Sequence, residues 1–278
     1  MCNLTDQEII AYLNVDNTLS KNERKLIREK IFESKDCQRK VEKIKKRLKK
    51  EEAKRTMLPH SRAKVEMYSK YLEKYLAILT IVPNSIVKEI NVLDVMCGRG
   101  IYEKGGKGSP IKAFDIAKTI QSRLKASKRT LKRIRFIFND KEEQFTTAIK
   151  TYIDKHNDKV LKIEPEYRNY EVEDFFPKII DWLKKQSKGI KNLIFIDPYG
   201  YKDIHKDILV NLLKNRNTEI VLFLPINQMH RFKEAAIDDD ENKGYEKLRN
   251  FIFEFFAPSH PLVKGERTTS HEFINELN

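Results

Sequence analysis

The chain has 278 residues, 40% of them hydrophobic, which suffices for one large domain and a small appendage. Its 55 basic residues against 41 acidic ones leave a formal charge of +14, a balance that favours a polyanionic partner but also occurs in lysine-rich enzymes with no nucleic-acid role. No apolar run is long enough to span a bilayer and no signal peptide is recognisable, so no membrane role and a cytoplasmic location are expected. The three cysteines (Cys2, Cys37 and Cys97) show no paired spacing, which argues against a disulfide framework or a metal knuckle.

Residues 1–55 read as a separate, all-helical and basic module. Thr5 to Glu8 and Ser20 to Glu23 both fit a capping box, in which hydroxyl and carboxylate satisfy each other's free amides. The first predicts a short helix carrying Ile9, Ile10 and Leu13, and the second a helix carrying Leu26, Ile27 and Ile31. A third helix, from about Asp36, presents Val41, Ile44 and Leu48 at helical spacing. Between Lys21 and Arg55 stand 16 basic and 7 acidic residues. The stretch from Arg39 to Lys50 is either a strip for a phosphate backbone or a solvated helix face.

The stretches LTDQEIIAYL and KNERKLIREKIFESKDCQRKVEKI resemble the zinc-finger-like domain of anti-sigma factors. The metal ligands do not carry over, because Lys30 stands at the histidine position and Ser34 at the first cysteine, leaving Cys37. One thiolate cannot hold a tetrahedral zinc site. The resemblance therefore implies a helical module without zinc, suited to protein interaction or to forming a homo-oligomer.

The main domain, 57–278, opens near Pro59 with a long amphipathic helix through Val65, Tyr68, Leu72, Tyr75, Leu76 and Leu79, ended by Pro83-Asn84. A strand from Asn91 to Met96 runs into the glycine-dense loop CGRGIYEKGGKGSP, and Ser109-Pro110 reads as N-cap and first residue of the next helix. Further strands are expected at Ile134–Phe138, Tyr167–Val172, Asn192–Ile196 and Ile220–Leu224. Helices between them carry Ile111, Phe114, Ala117 and Ile120, then Phe145, Ala148, Ile149 and Tyr152, then Ile179, Ile180, Trp182 and Leu183, then Ile208, Leu209 and Leu212. Five strands alternating with helices predict an α/β fold, a Rossmann-like, doubly wound and mainly parallel sheet. Beyond Pro225 the pattern thins to one helix, Tyr245–Phe255, with no convincing strand over 257–278.

The chemistry gathers at the strand ends. Asp94 with Gly98 and Gly100 matches the D-x-x-x-G-x-G pattern of class I S-adenosylmethionine-binding proteins, where glycines let the backbone approach a cofactor. Asp140 ends the next strand, where an acid can take ribose hydroxyls, or else cap the following helix. Asp197-Pro198-Tyr199-Gly200 ends the fourth strand in the manner of the DPPY motif of amino-methyltransferases, in which carboxylate and carbonyl orient the target NH2 and the aromatic stacks on a base; the alternative is a turn aspartate that caps a helix. Met96 and Cys97 on the turn and Asp174 after the third strand complete the candidate cofactor contacts, although Cys97 also fits a small packing position.

LDVMCGRGIYEKGGKGSP is similar to the DGFAGPGRYEDGxxGSP signature of the three-Cys-motif partner family, and IFIDPYGYKDI to its FVDPFGYxxIP. LPHSRAKVEMYSKYLEKYLAIL resembles the family's HTxxKxxxLxxYLxxWLxIL helix, FIFND its strand-two FIFIE, and Asn227 to Phe232 a segment after its fifth strand. The likeness covers roughly 57–235. It implies a methyltransferase with S-adenosylmethionine as cofactor, held by Asp94, Gly98, Gly100 and Asp140. Asp197, Pro198 and Tyr199 would face the substrate, and Tyr102, Glu103, Gly108 and Ser109 would shape a loop over the site. It also implies a radical-SAM-like partner protein with three clustered cysteines. The chain departs from the pattern in stopping short of the β-hairpin that usually completes a seven-stranded sheet. Two functions follow as expectations: methyl transfer to an amino group, on a nucleobase in nucleic acid, or a non-catalytic partner subunit with a methyltransferase fold.

Overall fold

The computed structural model describes residues 2–13, 19–82, 86–198, 200, 204–224, 232, 236–237, 244–260 and 263–264. The expected Pro83-Asn84 helix stop, Tyr199 and the Asn227–Arg231 segment lie outside these residues, as does most of 257–278. The chain divides into two compact units. The first comprises residues 1–59 together with Tyr102–Gly106, and the second comprises His60–Ile101 and residues 107–278.

The first unit holds α1 (Asp6–Leu13), α2 (Lys21–Glu33) and α3 (Lys35–Arg55). Both capping boxes form: Glu8 N–H donates to Thr5 Oγ1 at 3.2 Å, Glu23 N–H donates to Ser20 Oγ at 3.3 Å, and each glutamate accepts the return bond. Ser34 then caps α3 by accepting from Cys37 N–H. Leu4, Ile9, Ile27, Val41 and Ile44 form a small core, which Leu48 and Ile31 flank. Lys40 and Arg47 of α3 reach Asp6 of α1 at 3.3 and 3.2 Å, which ties the two helices together outside that core.

Cys2 is bonded to Cys37, so the expectation of no disulfide is corrected. The partners are 35 residues apart, a spacing that no short cysteine motif signals, and α1 has to fold back on α3 to bring them together. Disulfides are rare where glutathione keeps thiols reduced, which bears on the expected cytoplasmic location.

The second unit is built on a five-stranded, all-parallel sheet in the order β3-β2-β1-β4-β5. The strands are β1 (Glu89–Asp94), β2 (Arg133–Asn139), β3 (Ile163–Arg168), β4 (Ile190–Ile196) and β5 (Thr218–Leu222). Alternate residues point to opposite faces. Ile90, Val92, Phe136, Phe138, Leu193 and Phe195 pack beneath α4 (Pro59–Ile81), α5 (Ser109–Ala126) and α6 (Glu143–His156). Leu93, Val95, Ile137, Ile194 and Ile196 pack against α7 (Val172–Lys184) and α8 (Lys206–Leu213). A third cluster gathers Ile204 and Ala236 around α9 (Glu246–Phe255). No helix among the described residues is long and apolar enough to cross a membrane.

The third strand differs from its expected place. It lies at Ile163–Arg168, earlier than Tyr167–Val172, and Val172 already begins α7. The segment IEPEYR lacks an apolar run because it pairs only with β2 among the described residues, and an edge strand tolerates Pro165. Its register is held partly by charge: Arg133 reaches Glu164 at 3.1 Å and Arg135 reaches Glu166 at 3.3 Å.

Candidate functional site

β1 and β4 are neighbours, yet the helices that follow them, α5 and α8, pack on opposite faces. The topological switch point of the sheet therefore lies between these strands, and beyond their carboxyl ends is where open α/β sheets bind ligands. Three aspartates stand around this point. Asp94 is the last residue of β1, in register with Phe138 on one side and Phe195 on the other. Asp140 and Asp197 each follow two residues beyond those partners.

Asp94 is wholly buried. Its Oδ2 accepts from the Ser109 hydroxyl at 2.5 Å, while its Oδ1 has no hydrogen-bond partner among the described residues. Burial pushes its pKa up to about 8, with the help of the Asp197 and Asp140 charges and against the Ser109 bond and the Met96 backbone N–H. The Tyr68 hydroxyl is a second buried polar group without a partner among the described residues. Burial, then the charge of Asp94, holds that phenol well above its ordinary range, and its ring stacks on Phe195 at 4.2 Å. Two buried polar groups thus stand within electrostatic reach of each other, each with hydrogen-bonding capacity unused. Buried polar atoms left unmatched cost about 1–3 kcal/mol each, and a ligand that supplies the missing partner removes that cost.

The glycines divide into two roles. Gly98 has φ +62°, and a Cβ placed on it would meet nothing within 4 Å, so its open side is free for a ligand to approach. Gly100 has φ +66°, but a Cβ there would come within 2.6 Å of Ile149 Cγ1, so it serves close packing of the loop on α6. Gly108 presses on Gly100, to whose carbonyl its N–H donates at 2.6 Å. Gly108 is also the N-cap of α5, one residue before the expected position. Ser109 is instead the first residue of the helix, and its hydroxyl donates to Asp94.

Asp140 does bind the loop. Its Oδ2 accepts from Gly98 N–H at 2.9 Å and its Oδ1 from Glu142 N–H at 3.0 Å, just before α6. The residue clasps the glycine loop and the turn that leads into α6 without capping that helix, and each oxygen keeps a lone pair for a further donor. Burial raises its pKa from the ordinary carboxylate value, with the two backbone bonds working against that rise.

Asp197 is half-buried and accepts a 2.5 Å ion-paired hydrogen bond from Lys64 of α4. The Lys64 ammonium also lies 5.8 Å from the centroid of the Phe223 ring, just past β5. Lys64 was not among the expected site residues. Its signal lay in the HSRAK stretch, where it matches the lysine of the HTxxK pattern.

The other candidates contribute less. Met96 packs its side chain with the α7 cluster, and Cys97 is buried on the opposite face, where burial first, then nearby Asp94, holds its thiol well above its usual range. Cys97 is a packing residue whose N–H donates to the Asn139 carbonyl at 2.9 Å. Pro198 is buried directly after Asp197. Asp174 is exposed in the first turn of α7, six residues past the end of β3 rather than directly after it, a correction that follows from the displaced third strand. Tyr102 and Glu103 belong to the first unit, where Glu103 pairs with Arg55 at 3.5 Å and Lys104 N–H donates to the Arg55 carbonyl at 2.9 Å. The structure therefore brings Asp94, Gly98, Asp140, Ser109 and Asp197 to one corner, together with Lys64 and Tyr68. In a strongly basic chain this corner is acidic, which suits a ligand carrying positive charge and hydroxyl groups. No family model matches the chain, and no curated protein matches it.

Proposed function

We propose that the second unit is a class I methyltransferase-type domain that binds S-adenosylmethionine at the Asp94 corner and methylates an amino group, on a nucleobase in nucleic acid. The observation that carries this reading is the pairing of a buried, half-satisfied Asp94 carboxyl with the open, left-handed Gly98 beside it. Bound there, S-adenosylmethionine supplies a methyl group on a positively charged sulfur. Asp94 offers its idle Oδ1 to a donor on the ligand, Asp140 offers its remaining lone pairs to hydroxyls, and Gly98 leaves room for close backbone approach. Asp197 is suited to accept an N–H of the acceptor amine and so aim its lone pair, once that N–H takes the place of the Lys64 ammonium. The resemblance to the three-Cys-motif partner family supports the same assignment.

Calorimetric titration of S-adenosylmethionine into the full chain tests it. Micromolar affinity, about −8 kcal/mol, is expected in the wild type and is lost in Asp94→Ala and Asp140→Asn. Because a cation beside Asp94 favours its ionised form, binding at neutral pH releases a proton, and the observed heat changes with the ionisation enthalpy of the buffer. No heat in the wild type, or full affinity in Asp94→Ala, would overturn the reading.

The Lys64–Asp197 pair supports a second reading: a ligand-binding but non-catalytic partner subunit, in which an ammonium permanently fills the acceptor position. The resemblance implies a radical-SAM-like protein with clustered cysteines as the partner. Cofactor binding without turnover on any amine, in both wild type and Lys64→Ala, distinguishes it from the enzyme.

A further inference from the structure

We infer that the outer face of α3 in the first unit is a binding strip for single-stranded nucleic acid, with Phe32 as a stacking platform at its amino-terminal end. The inference stands on the first unit alone and does not depend on the methyl-transfer reading.

Cys37, Val41 and Ile44 fix the inward face of α3. On another face Lys35, Arg39, Lys43 and Lys46 follow one another at spacings of four, four and three residues. That places a cation at about every 4.5–6 Å of helix rise, a regular ladder for a repeating anion. With Gln38 and Glu42 these residues line a shallow groove of about 490 Å³.

The charge of this ladder is largely uncommitted. Among the described residues Lys35, Lys43 and Lys46 make no ion pair, and Arg39 has only a 3.9 Å contact with the exposed Asp36. Glu42, the one carboxylate in the groove, is engaged by Lys45 at 3.0 Å. Lys40 and Arg47 are different, because both are used on Asp6.

Phe32 supplies the second, independent observation. Its side chain is 84% exposed at the end of α2, yet its carbonyl accepts from Gln38 Nε2 at 3.1 Å, so its backbone is tied to a residue of the groove. A bare aromatic ring held beside a row of cations matches how single strands are gripped, with bases on rings and phosphates on cations. A duplex offers no free base face to such a ring.

Fluorescence anisotropy on the full chain, with labelled oligothymidylate and oligouridylate of about 20 nucleotides, tests the strip. Four phosphate contacts give a slope of log K against log salt near −3, since each contributes about −0.7 for a single strand. The combined Lys35→Gln, Arg39→Gln, Lys43→Gln and Lys46→Gln variant is expected to flatten that slope and lose about a hundredfold in affinity at low salt. Phe32→Ala should lose about tenfold with the slope unchanged, while binding of a blunt-ended, fully paired duplex does not respond to it. All five side chains are exposed, so circular dichroism should show both variants folded. Absence of binding at about 50 mM salt, wild-type affinity in the fourfold variant, or equal affinity for polyglutamate with no Phe32 dependence would each overturn the assignment, the last in favour of an acidic protein surface.

Discussion

The carboxyl corner of the second unit and the basic strip of the first hold ionisable groups of opposite kind, and they hold them at opposite depths. Asp94 holds its carboxyl in the core, next to backbone that only glycine adopts easily. The cations of α3 stand in water on a helix whose packing is settled by its other face. A buried carboxyl and a strained turn weigh on stability as well as on ligands, whereas an exposed row of lysines has almost no effect on the fold. Substitutions in the corner should therefore move the melting temperature and binding together, and those in the strip should move binding alone.

The sharpest way to expose that difference is Asp94→Asn. The folded pKa is raised, so below about pH 4 folded and unfolded chains are both protonated and the residue costs nothing. As pH rises toward 8, the unfolded chain gives up its proton first and the native state loses stability, levelling off beyond. Asparagine does not titrate. The variant should match the wild type near pH 4 and exceed it by roughly 3–5 kcal/mol at pH 9 in urea unfolding, while ligand binding is lost. Equal stability at both pH values would show that Asp94 is not a buried acid. Next comes Gly100→Ala, which combines a positive φ with a clash against Ile149; a loss of about 2–4 kcal/mol is expected in the same assay. Gly98→Ala has the strain without the clash and should cost about 1–2 kcal/mol, while weakening ligand affinity out of proportion. At the small end, Lys64→Met removes a half-exposed ion pair and should shift stability by no more than about 1 kcal/mol. If the Asp197 carboxylate is the amine acceptor, that variant also lowers the KM for the methyl acceptor and leaves cofactor affinity unchanged.

How much of this was readable beforehand follows the same division of depth. β1, β2 and β4 fall within two residues of their expected starts because buried parallel strands are written as apolar runs between turn residues, and β5, an edge strand, does so because it still carries the apolar run Ile220-Val221-Leu222. β3 was misplaced because an edge strand with one partner is fixed by cross-strand ion pairs, which no periodicity announces. That slip carried Asp174 with it. At the site, the glycines and Asp94 were legible as a motif, but the partners that define their chemistry come from far along the chain: Ser109 from the start of α5, Tyr68 and Lys64 from α4. The Cys2–Cys37 bridge was invisible for the same reason.

The glycine loop has one more consequence, for how the protein can be taken apart. Ile101 and Lys107 form an antiparallel bridge in the second unit, while the five residues between them belong to the first. The backbone therefore passes from one unit to the other three times, near Pro59 and on either side of the 102–106 tip. A cut after Pro59 severs only the first of these passages. It would leave Lys104 without Glu52 and the Arg55 carbonyl, and the tip stranded on a fragment that never contained its neighbours. The helical unit is a module in its architecture but is stitched through the loop in its wiring, so trimming or swapping it has to treat residues 102–106 as part of the exchanged piece.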